Sequence, residues 1–146
     1  METNDIKPST MMLIGGGIVL LLGTFLDWFS VDGGEFFGDL SANGWDTDLF
    51  GLLGIVCAAI GLIIGGGVAA RQFGNVNMPT PPMGFSHAQL HIMLSLMAAV
   101  ITIGFVFRGE VGIGLWLSTV AAIVMVVGSV MEDKEGSSEA TPPTQF

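Results

Sequence analysis

Four long apolar runs, residues 11–29, 50–70, 87–107 and 111–131, decide what this chain can fold into. Each is close to the roughly 20 residues with which an α-helix crosses a hydrocarbon core about 30 Å thick. Asp27 interrupts the first run near its end, and His87, Gln89 and His91 crowd the start of the third. The runs are apolar all round, without the polar stripe that a helix in a soluble protein turns toward water. Little of the 146 residues is left over. The sequence predicts an all-α fold: an integral four-helix bundle in the lipid bilayer, a multi-pass protein of the cell membrane.

Composition excludes several partners. Charged residues make up 12% of the chain, about half the share in a soluble domain. Lys and Arg number 4 against 13 Asp and Glu, for a net charge of -9. Nucleic acid is therefore excluded as a partner, because gripping phosphate needs clustered cations. Cys57 is the sole cysteine, so no intrachain disulfide forms, and its place in the middle of the second run reads as packing.

Residues 1–10 form a polar tail ahead of a membrane domain spanning 11–131, and 132–146, small, charged and proline-bearing, read as a disordered tail. Two connections have substance, 30–49 and 71–86. The third, Arg108-Gly109-Glu110, is so short that helices three and four must form a tight antiparallel hairpin. Gly33-Gly34 and Asn43-Gly44 are turn signals and suggest a small β-hairpin in the first loop. Asp46, Thr47 or Asp48 offers a cap for the second helix, and Ser86 with Gln89 fits a capping box for the third. With both termini inside, Lys7, Arg71 and Lys134 lie on the inner side and only Arg108 lies outside, which satisfies the excess of basic residues in inner loops. Trp28, Phe29, Trp45, Phe50, Phe107 and Trp116 then fall near the outer surface as an aromatic belt.

Within lipid, small residues let helices approach closely. The second run carries Gly51, Gly54, Ala58, Gly61 and Gly65 at alternating steps of three and four, a flat seam of coiled-coil period. The fourth carries Gly114, Ser118 and Ala122 at steps of four, and the first carries Gly15-Gly16-Gly17 and Gly23. The partner of these seams is either another helix of this chain or a neighbouring subunit.

Two groups of residues suggest chemistry. His87 and His91 stand at i, i+4, the spacing with which a helix presents two imidazoles to a metal, although no third ligand is evident. The simpler reading is a pair of hydrogen-bonded histidines at the interface. From His91 the same face continues through Ser95, Ala98 and Thr102 as a weakly polar stripe, a route along which a bundle could hold water, ions or protons. The first loop gathers Asp27, Asp32, Glu35, Asp39, Asp46 and Asp48 without a basic residue, an acidic mouth suited to solvation, cation binding or partner docking. No Gly-x-Ser-x-Gly or phosphate-cradling loop is present, no catalytic residue is assigned, and the sequence names no cofactor.

Four spans with a larger first outer loop and a short second one resemble the layout of claudin-like tetraspan proteins. Gly44-Trp45-Asp46 stands where the claudin loop carries Gly-Leu-Trp, and the loop lacks the paired cysteines. Leu26-Asp27-Trp28-Phe29-Ser30, Gly44-Trp45-Asp46 and the glycine-rich second run look more like small prokaryotic four-span membrane proteins over residues 10–70. That resemblance implies a fold and no activity. The expectation is a non-enzymatic accessory subunit of a larger membrane complex, or a homo-oligomer packing through its Gly and Ala faces. A cation or proton channel along the helix-three stripe and a metalloprotein built on His87 and His91 are the alternatives.

Overall fold

Backbone amides with no water to bond must bond along their own helix, and each apolar run does so in the computed structural model, which describes residues 6–50, 52–77, 79 and 81–139. The elements are α1 (Pro8–Phe25), β1 (Asp27–Asp32), α2 (Gly34–Phe37), β2 (Asp39–Asn43), α3 (Thr47–Phe50), α4 (Leu53–Phe73), α5 (His87–Val106) and α6 (Ile113–Glu139). α1, α4, α5 and α6 are each long and apolar enough to cross a membrane. Within α4 the segment Leu62–Gly66 is a single π-helical turn.

Helix ends differ from the hydropathy limits for identifiable reasons. Pro8 opens α1 three residues ahead of the expected start, where its missing N–H costs nothing. α1 then stops at Phe25 rather than at residue 29, because Leu26 turns extended (φ -88°, ψ 166°) and feeds β1. The expected box at α5 forms in full: Ser86 Oγ accepts from Gln89 N at 3.1 Å, and Gln89 Oε1 accepts from Ser86 N at 3.1 Å. Asp46 Oδ1 accepts from Asp48 N at 3.0 Å, but this caps the single turn α3 and not the long helix α4. The boundary at Met131 is corrected most. α6 runs on to Glu139, since Glu132, Lys134 and Glu135 are able helix formers and neither Gly nor Pro falls within residues 132–135. Residues 140–146 lie outside the described residues.

α1 is the centre of the assembly. It lies antiparallel to α4 on one side and to α6 on the other, α5 closes on the far side of α6, and α4 meets α5 through its Leu53–Gly61 half. From Leu62 to Phe73, α4 makes no more than glancing contact with α5. One end of the bundle therefore gathers the start of α1, the end of α4, the start of α5 and the last turns of α6, while the other end carries a cap.

The cap adds one β element to the all-α expectation. β1 and β2 pair antiparallel in the register Ser30↔Ser41, Val31↔Leu40 and Asp32↔Asp39, with a bulge between Asp27 and Phe29. Glu110–Gly112 joins as a third backbone segment, with Ser30 N donating to Glu110 O at 3.1 Å and Gly112 N to Trp28 O at 2.9 Å. Gly109 (φ 83°) and Glu110 (φ 54°) both take the left-handed conformation, which folds the short α5–α6 connection back under the hairpin.

Trp28 is corrected from belt to core. It is 1% exposed, whereas Trp45 and Trp116 are 39% and 53% exposed. The Phe50 side chain lies outside the described residues. Cys57 is buried at 0% among the packed helices. N-ethylmaleimide is expected to modify less than about a tenth of Cys57 in the folded protein and all of it after SDS denaturation, read by mass, because a thiol must be reached to react. Ready labelling of the folded chain would place Cys57 on an accessible face.

Candidate functional site

The glycine seams come together inside this chain. A Cβ on Gly17 of α1 would stand 2.7 Å from Gly61 O and 2.7 Å from Gly65 Cα of α4. Gly54 closes against the backbone of Gly44 in the cap, and Ala58 on the same face is 2% exposed. On the other side of α1, Gly16 meets Met125 and Ala121, while Gly23 meets Ser118 and Gly114. Ala122 is fully buried, and Gly51 lies outside the described residues. Within this chain those glycines meet its own helices and cap.

The polar stripe of α5 faces α6. His91, Ser95 and Thr102 are 7%, 0% and 0% exposed. Thr102 Oγ1 donates back to its own helix, 3.0 Å from Ala98 O and 3.2 Å from Ala99 O. Ser95 Oγ meets Ser129 Oγ of α6 at 3.3 Å, and Ser129 donates to Met125 O at 2.7 Å. These hydroxyls satisfy carbonyls and pin one helix to the next, as polar groups between membrane helices do.

The two histidines have separate partners. His87 Nε2 donates to Pro79 O at 3.1 Å, out in the connection before α5. His91 Nδ1 donates to Glu132 Oε2 at 2.8 Å, across to α6. Among the described residues no group of three His, Cys, Asp or Glu side chains gathers as a metal set.

Glu132 is the residue that hydropathy reasoning missed. Hydropathy alone places it in the tail, because the apolar run stops at Met131. Its signal was helical spacing: Ala122, Met125, Ser129 and Glu132 recur at three and four along one face of α6. Its second oxygen, Oε1, lies 3.9 Å from Arg71 Nη1 at the end of α4. One carboxylate thus links α4, α5 and α6. One turn further, Glu135 Oε2 accepts from Ser9 Oγ of α1 at 2.7 Å and brings in the fourth helix.

Around these groups the four helix ends enclose a polar vestibule. A cavity of about 400 Å³ is lined by Lys7, Ser9, Arg71, His87, Glu132 and Glu135, among others. A second, of about 390 Å³, shares Arg71 and His87 and continues along Asn75 and Asn77. A third, of about 170 Å³, runs from Arg71 and Glu132 past Thr10 to Val68. The vestibule carries both signs of charge within a few ångströms.

The opposite end is built differently. Trp28 Nε1 donates to Gly23 O at 3.0 Å and its ring packs on Phe105, centroids 5.9 Å apart. Trp45 stacks on Phe25 at 5.1 Å and donates to Thr24 Oγ1 at 3.1 Å. Above them the hairpin carries the carboxylates: Asp27, Asp32, Glu35, Asp39 and Asp48 are exposed, and Asp46 is half-buried. Asp32 and Asp39 stand directly opposite each other on the ladder. Beside them Phe36 is 94% exposed.

Comparison with known proteins finds no matching family, no matching curated protein and no matching solved structure.

Proposed function

We propose that this chain is a non-enzymatic, multi-pass integral membrane protein, with both termini inside, that serves as an accessory subunit of a larger membrane complex. The observation that carries the reading is Phe36, 94% exposed at the apex of the cap amid Asp32, Glu35 and Asp39. A bare aromatic ring on a tied-down hairpin is the kind of anchor that fills a partner's pocket. Asp32 and Asp39, opposed on the ladder, repel each other, and a basic rim around that pocket would relieve them. The partner is therefore a membrane protein whose outer face presents an apolar pocket ringed by Lys or Arg. The orientation rests on Lys7 and Arg71 sharing the vestibule end, opposite Arg108 in the cap. Gly16, Gly17, Gly23, Gly54, Gly61, Gly65 and Gly114 face other parts of this chain, which favours the cap as the partner surface in this reading.

Extraction in mild detergent followed by native mass measurement tests the reading. The wild-type chain is expected to co-purify with a second membrane protein in fixed ratio. Phe36→Ser is expected to lower that recovery about tenfold, the scale of one lost aromatic anchor, with the unfolding midpoint unchanged. A lone monomer, even after crosslinking in intact membranes, would overturn it.

A further inference from the structure

We infer that the vestibule binds the headgroup of an aminophospholipid, holding its phosphate on Arg71 and Lys7 and its primary ammonium on Glu132 and Glu135. This inference rests on the chain spanning a bilayer and is independent of the partner assigned to the cap.

Three observations converge on it. The first is charge. The cavity of about 400 Å³ is lined by two cationic side chains and two carboxylates, a size within the usual range for small-ligand sites. A ligand carrying one sign alone would face two like charges, whereas a zwitterion presents each sign with its opposite, beside the partners these groups already have. Arg71 Nη1 touches Glu132 only at the 3.9 Å limit of an ion pair, and a guanidinium has five N–H donors in a fork matched to phosphate oxygens. A primary ammonium brings three donors for the carboxylates.

The second observation is depth. Arg71 follows directly on the apolar run of α4, and His87 is the first residue of that of α5. The vestibule thus lies where the hydrocarbon core gives way to headgroups.

The third is access from the side. Beyond Gly61, α4 draws away from α5, so that its Leu62–Phe73 half makes only glancing contact with it. The cavity shared by Arg71 and His87 lies between the end of α4 and the start of α5, at the mouth of that separation. A headgroup seated on Arg71 can therefore keep its acyl chains in the bilayer between α4 and α5. A soluble zwitterion would leave that lateral opening unused, so the lipid is the occupant the geometry favours.

The test uses the full chain in mild detergent, with thermal unfolding read as phosphatidylethanolamine, phosphatidylcholine or phosphatidylglycerol of identical acyl chains is added, and as soluble phosphoethanolamine is added. A ligand that binds only the folded state raises the midpoint in proportion to its occupancy. Phosphatidylethanolamine is expected to bind about tenfold more tightly than either other lipid, since the choline headgroup lacks N–H donors and glycerol lacks the cation. Arg71→Gln, whose ion pair is long and half-exposed, is expected to keep the lipid-free midpoint and lose the response. If Arg71→Gln does not fold, Lys7→Gln serves in its place, with the same result expected. Equal responses to all three lipids, or an unchanged response in the variants, would overturn the proposal. Soluble phosphoethanolamine binding as tightly as the lipid would also overturn it, in favour of a water-soluble ligand. A chain that stays compact and dispersed in plain buffer would instead overturn the membrane reading on which this site depends.

Discussion

Trp28→Ala is expected to destabilise the fold by about 3–5 kcal/mol, the range for truncating a buried aromatic to Ala. Trp28 is 1% exposed, and three elements converge on its ring. Phe105 of α5 packs against it, Gly44 of the cap is close enough that a Cβ there would stand 2.9 Å from Trp28 Cε2, and Gly23 O of α1 accepts its N–H. Removing the ring leaves a void at the junction of cap and bundle. No single helix can shift to fill it, because the backbone bond from Gly112 N to Trp28 O at 2.9 Å holds the strand in place. Trp28→Phe keeps most of the volume and forgoes one hydrogen bond, so it is expected to cost about 1–1.5 kcal/mol beyond any packing mismatch. Trp45→Ala, at a ring 39% exposed, is expected to cost clearly less than Trp28→Ala. Thermal or SDS-titrated unfolding in detergent measures all three. A Trp28→Ala loss under about 1 kcal/mol would return this residue to the belt at the membrane surface.

Gly17→Val is expected to push α1 and α4 apart at a cost of about 3 kcal/mol or more, the upper part of the range for overpacking. The atoms that a Cβ would strike, Gly61 O and Gly65 Cα at 2.7 Å each, are backbone. A crowded side chain can change rotamer; a crowded backbone can only move with its helix. The effect has a built-in control. Gly15 stands two residues away on the same helix with nothing within 4 Å of its Cβ position, and Gly15→Ala is expected to leave stability unchanged or raise it by up to about 1 kcal/mol through helix propensity. Equal midpoints for Gly17→Val and wild type would show that α1 and α4 are not in close contact.

Those two predictions mark the border of what the sequence made legible. The four helices were readable because their signal, uninterrupted apolarity over some twenty residues, does not depend on any tertiary contact. The small-residue seams were readable as seams, since Gly54, Ala58, Gly61 and Gly65 recur at the right period. Their partner was not, because Gly17 sits in a Gly15-Gly16-Gly17 run whose members face three different ways: Gly16 to α6, Gly17 to α4, Gly15 to nothing within 4 Å. Trp28 looked like a surface residue because hydropathy extended α1 through residue 29. The turn at Leu26 that swings the indole inward is a response to the cap folding over the bundle. His91 was identified, but its partner Glu132, 41 residues away, follows the point where apolarity ends. A reading of α6 by helical face rather than by hydropathy would have carried the stripe from Ser129 on to Glu132. The arrangement of the vestibule depends on four helix ends meeting, which no local pattern encodes.

α1 lies along α6 from one end to the other, from Gly23 beside Gly114 to Ser9 bonded to Glu135, 126 positions later. The helix synthesised earliest among the four therefore waits for the latest before its main contact surface is covered. Until the ribosome has delivered α6, α1 has only α4 to lean on, and the hollows at Gly16 and Gly23 stay uncovered. Assembly of this protein closes as a ring from its two extremities, and a ribosome stalled before α6 would leave an insertion intermediate whose oldest segment is its least secured.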